Sequence, residues 1–379
     1  MDIEQKTHTG LGSLKSLKQI LSSYDVSRIM IVTGKKSFKD SGAKALISRA
    51  LDCFKVTYFS DFAVNPKLSD AKKGVKLLKN NDIELIISIG GGSVIDMAKL
   101  IKAFYSNPGK ADSIAKGLTE IIDPKIPLIA IPTTAGSGSE STHFAVVYIG
   151  KEKFSVAHKC LLPYEIILDG SLTISATKYQ KACNVLDAIS QSIESAWAVA
   201  ATSQSQKISF LALKKCMNSF YEYVNSEDSL EASQSMIEAS NLAGQAINIS
   251  KTTAAHAWSY AISMRYNIPH GHAVWATLPR IFEIHSLNSD LIINGPYGKS
   301  YLNKIIRNIR EIMNMPDGES AIDYFNNFLA SIGIPANLVQ DLKILKSERK
   351  ELSNAVNEER MANNPVKFSD KQISFIFEI

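Results

Sequence analysis

The chain contains 379 residues, of which 45% are hydrophobic and 21% are charged. This composition is typical of a globular protein, and the length predicts two domains rather than a single hydrophobic core. The formal net charge is +5 and the basic residues are dispersed, which argues against a nucleic-acid-binding surface.

No segment contains the run of about eighteen apolar residues that is needed to cross a membrane. The first residues, MDIEQKTHTG, lack the apolar segment of a secretory signal. No CxxC pair occurs among the four cysteines, which are Cys53, Cys160, Cys183 and Cys216. We therefore expect a cytoplasmic protein without a membrane partner, a disulfide framework or a structural zinc site.

The first half of the sequence predicts a parallel β-sheet. Four short apolar segments rich in β-branched residues are predicted to be buried strands: RIMIVTG (28–34), KVTYFS (55–60), ELIISIG (84–90) and PLIAIPTT (127–134). Segments with helical spacing lie between them, and this alternation is typical of a parallel α/β sheet. FAVVYI (144–149) and EIILD (165–169) are interpreted as a β-ribbon at the edge of the sheet.

From about Leu172 onward the apolar residues follow helical spacing, as in YQKACNVLDAISQSIESAW and LEASQSMIEASNLAGQAINI. Strand patterns become rare in this half of the chain. We therefore predict an α/β domain over residues 1–170 and an all-helical domain over residues 171–379.

A run of three glycines, Gly90, Gly91 and Gly92, separates the strand ELIISIG from a helical segment. Glycine allows a ligand to approach the backbone closely, and the free N–H groups at a helix N-terminus attract a pyrophosphate. We expect Ser93 to cap this helix, with Asp96 as its capping-box partner. The alternative is a tight turn that binds nothing.

A second loop, PTTAGSGSE (132–140), follows another predicted strand and contributes the hydroxyls of Thr133, Thr134 and Ser137. Two polar loops after strands of one sheet place hydrogen-bond donors along its carboxyl edge, where dinucleotides bind in open α/β folds. The sequence therefore predicts that the first domain binds a dinucleotide.

The turn after the first predicted strand bears on which dinucleotide is bound. NAD-specific sites commonly carry an acidic residue there, which bonds the ribose hydroxyls and repels a 2′-phosphate. The sequence instead has Gly34, Lys35, Lys36 and Ser37. Two cations and a hydroxyl predict NADPH rather than NADH, and the alternative is that the lysines are solvated turn residues.

The segments GGGSVIDMAK and PTTAGSGSE together resemble those of the iron-containing alcohol dehydrogenases, which have the dehydroquinate synthase-like fold. The resemblance extends from LGSLKSL near the start to ERMANNP (359–365) near the end. It implies that Gly91, Gly92 and Ser93 hold the pyrophosphate. It also implies a cofactor site lined by Asn65, Thr133, Thr134, Ser137 and Lys153. We further expect a homodimer.

Asp187 and Gln191 lie four residues apart, which places them on one face of a predicted helix. Considered alone, Asp187, Gln191 and Glu194 could form an exposed polar stripe, and His256 could be a core histidine. The family that the chain resembles binds one divalent metal with an Asp, a His four residues later and two His fourteen residues apart. Asp187, His256 and His270 match this pattern, whereas Gln191 stands in place of the first histidine.

An amide oxygen is a neutral and weaker ligand than an imidazole nitrogen. The resemblance implies Fe²⁺ as the metal, with Gln191 or a water as the fourth ligand, and Zn²⁺ is the alternative. Another histidine of the family is replaced by Tyr260 in this chain. We expect Tyr260, a chain of waters or His272 to relay a proton.

A cation and three hydroxyls precede His256, in the order Ser250, Lys251, Thr252 and Thr253. A lysine among hydroxyls suits a phosphonate or phosphate group. Thr142 and His143 are expected to converge on the same anion. The alternative is a solvated helix start with Ser250 as its cap.

The segments THFAVVY and AINISKTTAAHAWSY resemble the phosphonoacetaldehyde reductase branch of the family, which shares glutamine at the ligand position. This resemblance implies metal-dependent, NAD(P)H-linked reduction of a small aldehyde, phosphonoacetaldehyde, to the alcohol 2-hydroxyethylphosphonate. Three alternatives remain: a broad-specificity alcohol or aldehyde dehydrogenase, a lyase of the dehydroquinate synthase kind, and a non-catalytic binding protein.

Overall fold

The computed structural model describes residues 5–150, 152–287, 291–335 and 346–378. The chain divides into two compact units. The first contains the chain up to Ala176 together with Asp228–Asn241, and the second contains Thr177–Glu227 and the chain from Leu242 onward. The sequence predicted a single boundary after residue 170. It did not predict that Asp228–Asn241 belongs to the first unit. No helix among the described residues is both long and apolar enough to span a membrane.

Strands dominate the centre of the first unit. In chain order they are β1 Lys6–Thr9, β2 Arg28–Thr33, β3 Lys55–Phe59, β4 Leu85–Gly90, β5 Leu128–Pro132, β6 Phe144–Ile149, β7 Glu152–Ala157 and β8 Glu165–Leu168. Six of them form one sheet in the order β1–β8–β5–β4–β2–β3, and every neighbouring pair is parallel. This confirms the predicted parallel α/β fold.

Helices connect these strands and cover the sheet. They are α1 Leu17–Ser22, α2 Ser37–Asp40, α3 Ala43–Ile47, α4 Leu68–Asn80, α5 Gly92–Tyr105 and α6 Ala111–Ala115. Both faces of the sheet are buried, because side chains alternate between faces along a strand. In β2, Ile29 and Ile31 join the apolar cluster on one face, whereas Met30 and Val32 join the cluster on the other.

The predicted β-ribbon was wrong in its pairing. β6 pairs antiparallel with β7, which lies in the segment that was interpreted as the connection. β8 instead enters the six-stranded sheet between β1 and β5. All four residues of β8 are buried, as is typical of an interior strand of a parallel sheet. β1 was not predicted from the sequence, because it is a short edge strand whose side chains are largely exposed.

Helices predominate in the rest of the described chain. They are α7 Lys178–Trp197, α8 Ser203–Asn225, α9 Leu230–Ser250, α10 Ala254–Tyr266, α11 His270–Trp275, α12 Leu278–Ser286, α13 Gly298–Ile312, α14 Ala321–Ser331, α15 Lys346–Asn354, α16 Glu358–Ala362 and α17 Asp370–Phe377. A ladder of two short strands, β9 Ile292–Ile293 and β10 Val366–Lys367, interrupts the helical pattern. The predicted helical character of this region is confirmed.

Helix α7 occupies the interior of the second unit. A capping box begins it, in which Thr177 and Gln180 bond each other's backbone N–H groups. Most side chains from Lys181 to the end of the helix are buried, including several polar ones. A polar side chain in such a helix requires a partner or a ligand, because burial of an unpaired polar group is costly.

Candidate metal centre and cofactor loops

The glycine turn after β4 is built differently from the prediction. Gly91 occupies the N-cap position of α5 and has no side chain to cap it, so the capping box predicted for Ser93 and Asp96 is wrong. Asp96 instead accepts hydrogen bonds from Ser139 Oγ, at 2.6 Å, and from Val146 N, at 3.0 Å. Its carboxylate therefore fixes the second polar loop rather than the helix start.

The two predicted cofactor loops are in contact. A β-carbon added to Gly92 would lie 2.7 Å from Ser137 Oγ, and one added to Gly91 would lie 3.2 Å from Thr134 Oγ1. Gly90 is bonded to the same loop, since its carbonyl accepts from Thr133 N at 3.1 Å. Glycine is thus required by the close approach of one loop to the other, and the N-terminus of α5 lies at their junction.

Other residues predicted for the cofactor lie close to this turn in the first unit. Asn65 has a backbone φ of 65°, and its N–H points to Ser93 Oγ at 3.5 Å. Lys153 is in β7, where it pairs with Tyr148 of β6. Asn65 and Ser93 therefore meet in this structure, whereas the cofactor role of Lys153 stays a prediction.

Lys99 is a structural residue that sequence reasoning missed. Its ammonium group is fully buried and donates to the carbonyls of Ser139, Thr142 and Phe144. Burial lowers the pKa of Lys99 to about 8, although Asp96 opposes this shift. The lysine therefore stabilises the loop that contains Ser139 and Thr142, because it donates to several of its backbone carbonyls at once.

This arrangement corrects the predicted role of Thr142 in substrate binding. Thr142 is 1% exposed, and its hydroxyl oxygen accepts from Lys99 Nζ at 2.9 Å. Its side chain is therefore committed to the loop interior. His143 is partly exposed and packs edge-on against Phe144, with ring centroids 5.7 Å apart. Its contact with an anion stays a prediction.

An acidic residue from another turn lies next to the turn after β2, and the sequence around β2 gives no sign of it. Lys35 Nζ lies 2.9 Å from Asp61 Oδ1, and Asp61 comes from the turn that follows β3. Both side chains are largely exposed. Ser37 Oγ sits against Gly34, where an added β-carbon would lie 2.3 Å away. Lys36 occupies the N-cap position of α2.

A candidate metal centre lies within the second unit. Asp187 comes from α7, His256 from α10 and His270 from the first turn of α11. One ligand atom from each residue lies within 4.8 Å of the others. Asp187 is 7% exposed, so the alternative of an exposed polar stripe on α7 is wrong.

The residues of this cluster fit a divalent ion. The buried Nε2 atom of His256 lies 3.5 Å from Asp187 Oδ1 and has no hydrogen-bond partner among the described residues. A buried ring nitrogen without a partner is costly unless it receives a ligand. One carboxylate and two imidazoles are a donor set that suits Fe²⁺ or Zn²⁺.

Glu194 supports the candidate metal centre, although the sequence left open that it was an exposed residue. It is fully buried on α7, and its carboxylate accepts from Nδ1 of His256. The same carboxylate accepts from Thr253 Oγ1, at 2.7 Å, and from Ala255 N, at 2.9 Å. An acceptor at Nδ1 fixes the ring so that Nε2 is left for a metal, as is typical of carboxylate–histidine–metal arrangements.

The charges of this cluster favour the ionised forms of its members. Burial alone would lower the pKa of His256, yet Glu194 and Asp187 raise it to about 9. Burial would raise the pKa of Asp187, but the neighbouring His256 and His270 outweigh burial and lower it. Binding of a metal at Nε2 would therefore displace a proton from His256.

Gln191 orients a ligand in this structure. It is 3% exposed, and its Nε2 donates to Asp187 Oδ1 at 3.0 Å. The spacing of four residues on α7 brings the two side chains together as predicted. The function of Gln191 as a fourth metal ligand stays a prediction.

The two candidates for proton relay occupy different surroundings. The Tyr260 ring stacks on His270, with centroids 5.7 Å apart and an interplanar angle of 21°. Burial raises the pKa of Tyr260, so its hydroxyl retains its proton. His272 is two residues beyond His270, and its Nδ1 lies 2.7 Å from the hydroxyl of Tyr179. Tyr260 is thus the one of the two that contacts the ring of a candidate metal ligand directly.

The anion-binding role of residues 250–253 stays a prediction, whereas the alternative of a helix start capped by Ser250 is wrong. Ser250 is the last residue of α9, not a helix start, and its Oγ bonds Ser195 Oγ at 2.6 Å. Thr253 donates to Glu194, so its hydroxyl supports the metal centre. Thr252 is 3% exposed. Lys251 has a half-exposed side chain, and its ammonium pairs with Glu359.

Gly271 determines how closely α11 approaches α7. A β-carbon added there would lie 2.1 Å from the carbonyl oxygen of Cys183 and 2.9 Å from Asp187 N. We expect Gly271→Ala to push the start of α11 away from α7. The substitution should lower the free energy of unfolding by about 1–3 kcal/mol, as overpacking does. It should also weaken Zn²⁺ binding, because His270 moves with Gly271.

Gly109→Ala is the matched control for this prediction, since an added β-carbon there meets nothing within 4 Å. Thermal unfolding and a Zn²⁺ titration of both variants would test it. If Gly271→Ala had the stability and the Zn²⁺ affinity of the wild type, α11 would not approach α7 as closely as the structure shows.

Comparison with known proteins agrees with this geometry. The iron-containing alcohol dehydrogenase family matches residues 4–170, and the C-terminal domain of the Fe-containing alcohol dehydrogenase family matches residues 181–379. The probable alcohol dehydrogenase EutG of Escherichia coli K12 is 28% identical, over 88% of this chain and 82% of that protein. Long-chain-alcohol dehydrogenase 1 of Geobacillus thermodenitrificans is 26% identical, over 98% and 94%.

A similar solved structure is the sulfoacetaldehyde reductase of Bifidobacterium kashiwanohense in complex with NAD⁺. It superposes with a TM-score of 0.85 at 24% identity, over all of this chain and 96% of the other. At this identity the likeness concerns the fold. The two family matches cover nearly the whole chain, and the chain belongs to the iron-containing alcohol dehydrogenase family.

Proposed function

We propose that the protein reduces a small aldehyde to a primary alcohol with NAD(P)H and a divalent metal. The observation that carries this proposal is the cluster of Asp187, His256 and His270, in which His256 Nε2 is buried without a hydrogen-bond partner among the described residues. The contacting loops around Gly92 and Ser137 support the use of a dinucleotide.

The metal, when bound, would polarise a carbonyl oxygen while the reduced nicotinamide supplies the hydride. Asp187, His256 and His270 would hold that metal. Glu194 keeps a proton on Nδ1 of His256 and so presents Nε2. Tyr260 holds a proton on its hydroxyl beside the ring of His270, which suits it to protonate an alkoxide.

Among small aldehydes, we propose phosphonoacetaldehyde, which would yield 2-hydroxyethylphosphonate. The supporting observations are the segments THFAVVY and AINISKTTAAHAWSY and the glutamine at position 191. The sulfoacetaldehyde reductase with a similar fold is named for an aldehyde with an acidic tail, which is consistent with this choice. A homodimer is part of the same proposal.

A broad-specificity aldehyde or alcohol dehydrogenase is the second candidate. It is favoured by the exposure of Lys251 and by its pairing with Glu359, which leave the predicted anion set without its cation. An NADPH-oxidation assay on the Fe²⁺-loaded and Zn²⁺-loaded protein separates the two candidates. A much higher kcat/KM for phosphonoacetaldehyde than for acetaldehyde or butanal supports the first, and comparable values support the second. No oxidation with any aldehyde would contradict both.

Lys35 provides a test of the preference for NADPH. A 2′-phosphate near Lys35 would gain a charge-assisted hydrogen bond, which is worth about 1.5–3 kcal/mol. We expect Lys35→Ala to raise the KM for NADPH at least ~10-fold and to leave the KM for NADH nearly unchanged. Asp61→Asn should lower the KM for NADPH, because it removes a negative charge 2.9 Å from Lys35.

Lys72→Ala is the matched control, because Lys72 and Asp112 form a similarly exposed ion pair in the first unit. The KM values for NADPH and NADH, measured by steady-state kinetics in each variant, test this prediction. Equal changes for NADPH and NADH in Lys35→Ala would mean that Lys35 does not contact a 2′-phosphate.

A further inference from the structure

A buried arginine lies beside the candidate metal centre. Arg360 belongs to α16 and is 7% exposed. Its backbone N–H donates to Asn357 Oδ1 at 2.9 Å, and Asn357 is tied to α10 through the carbonyl of Ala257 at 3.4 Å. Helix α16 packs on α10, which carries His256. These contacts hold the backbone of Arg360 against the helix that carries His256.

One aromatic ring separates this guanidinium from the metal ligands. The guanidinium of Arg360 lies beside the hydroxyl of Tyr260, where its positive charge acts to lower the pKa of that hydroxyl against the larger effect of burial. The ring of Tyr260 in turn stacks nearly parallel on His270. A substrate whose carbonyl oxygen reached the metal centre would therefore have a fixed cation close to its other end.

The chemistry of arginine suits recognition of an acidic group. A guanidinium stays charged at every physiological pH, and its planar set of donors matches the oxygens of carboxylates, sulfonates and phosphonates. Burial of a cation is costly, and the cost is offset when an anion binds beside it. Lys251, the cation that the sequence suggested for this role, is half-exposed and pairs with Glu359.

We propose that Arg360 binds the acidic tail of the aldehyde substrate and so determines the specificity of the enzyme for acidic over neutral aldehydes. This inference rests on the proposed reduction of small aldehydes. It assigns the anion-binding function to the second unit, at a residue that the sequence analysis did not single out. Phosphonate, sulfonate and carboxylate tails share the required chemistry.

Arg360→Gln and Arg360→Lys test this assignment in the metal-loaded enzyme. For phosphonoacetaldehyde, Arg360→Gln should lower kcat/KM by roughly 10²-fold, mostly through KM, because a buried charged partner is lost. For propanal, kcat/KM should change less than about 3-fold. Arg360→Lys keeps the charge without the planar donors and should restore part of the loss.

Arg265→Gln is the matched control, because Arg265 lies on α10 but is more exposed and pairs with Glu348 and Glu351. It should leave both aldehydes unaffected. Equal losses for phosphonoacetaldehyde and propanal in Arg360→Gln would overturn the proposal, since they would mean that Arg360 only supports the site. Equal losses for phosphonoacetaldehyde and propanal in Arg360→Lys would also overturn the proposal.

Calorimetric titration with ethylphosphonate provides a readout that does not depend on turnover. Wild-type enzyme should bind this unreactive phosphonate, and Arg360→Gln should weaken the binding at least ~10-fold. This result would support the anion site even if no aldehyde were reduced, in which case the proposed function alone would fail. Binding of ethylphosphonate that is unchanged in Arg360→Gln would overturn the assignment whatever the enzyme reduces.

Discussion

We expect His270→Ala to lose the divalent metal and the reductase activity together. His270 is one of three residues whose ligand atoms lie within 4.8 Å of one another, so its removal leaves one carboxylate and one imidazole. Two protein ligands hold Fe²⁺ or Zn²⁺ poorly. The loss of metal affinity should exceed the ~10–100-fold that follows removal of an outer hydrogen-bond partner. Turnover should fall below detection, because polarisation of the carbonyl requires the ion.

The measurement is the metal content of loaded and desalted protein, together with NADPH oxidation in the presence of aldehyde. His158→Ala is the matched control, since the ring of His158 caps a short helical turn in the first unit by accepting from Cys160 N. It should retain metal and activity. Metal content and turnover that persist in His270→Ala would show that His270 is not a ligand.

Most of the strands could be predicted because burial leaves a strong trace in the sequence. β2, β4 and β5 are β-branched apolar runs, and a strand buried on both faces requires such residues throughout. β1 carries polar side chains at the sheet edge, so only its pairing with β8 makes it a strand. The partner of β6 could be β7 or β8. The composition of these segments does not show which of them lies beside β6, and the structure shows that it is β7.

The three candidate metal ligands were predicted because they match the pattern of the family, and the structure brings one ligand atom from each within 4.8 Å of the others. The spacing of Glu194 was the one signal in the sequence that linked it to Asp187. Asp187, Gln191 and Glu194 stand at positions i, i+4 and i+7, which share one helix face. The sequence does not show whether such a face meets water or a buried cluster, and the exposed alternative placed Glu194 on the surface.

The contacts of residues 250–253 could not be predicted for a different reason. Their side chains bond residues that are more than fifty positions away, such as Ser195 and Glu194. A run of hydroxyls beside a lysine has the composition of an anion site whether or not its donors are already in use. Arg360 was not singled out, because ERMANNP shows only a lone arginine. Its burial and its position beside Tyr260 are visible only in the structure.

We expect Glu194→Gln to weaken metal binding by roughly 10–100-fold while the fold is retained. Glutamine has nearly the same shape as glutamate but lacks its charge. It also directs an amide donor toward a site where Ala255 N, Thr253 Oγ1 and His256 Nδ1 already donate. The ring of His256 would lose its fixed orientation, so its Nε2 would no longer be held toward Asp187.

A competition titration with a Zn²⁺ chelator measures this change, and kcat/KM for the aldehyde should fall with the affinity. Glu283→Gln is the matched control, because Glu283 accepts from Ala321 N at 2.7 Å in a helix outside the metal cluster. It should lose stability at most and leave the Zn²⁺ affinity unchanged. A Zn²⁺ affinity within about 2-fold of wild type in Glu194→Gln would mean that His256 is oriented by the packing of α10 against α11 rather than by the carboxylate.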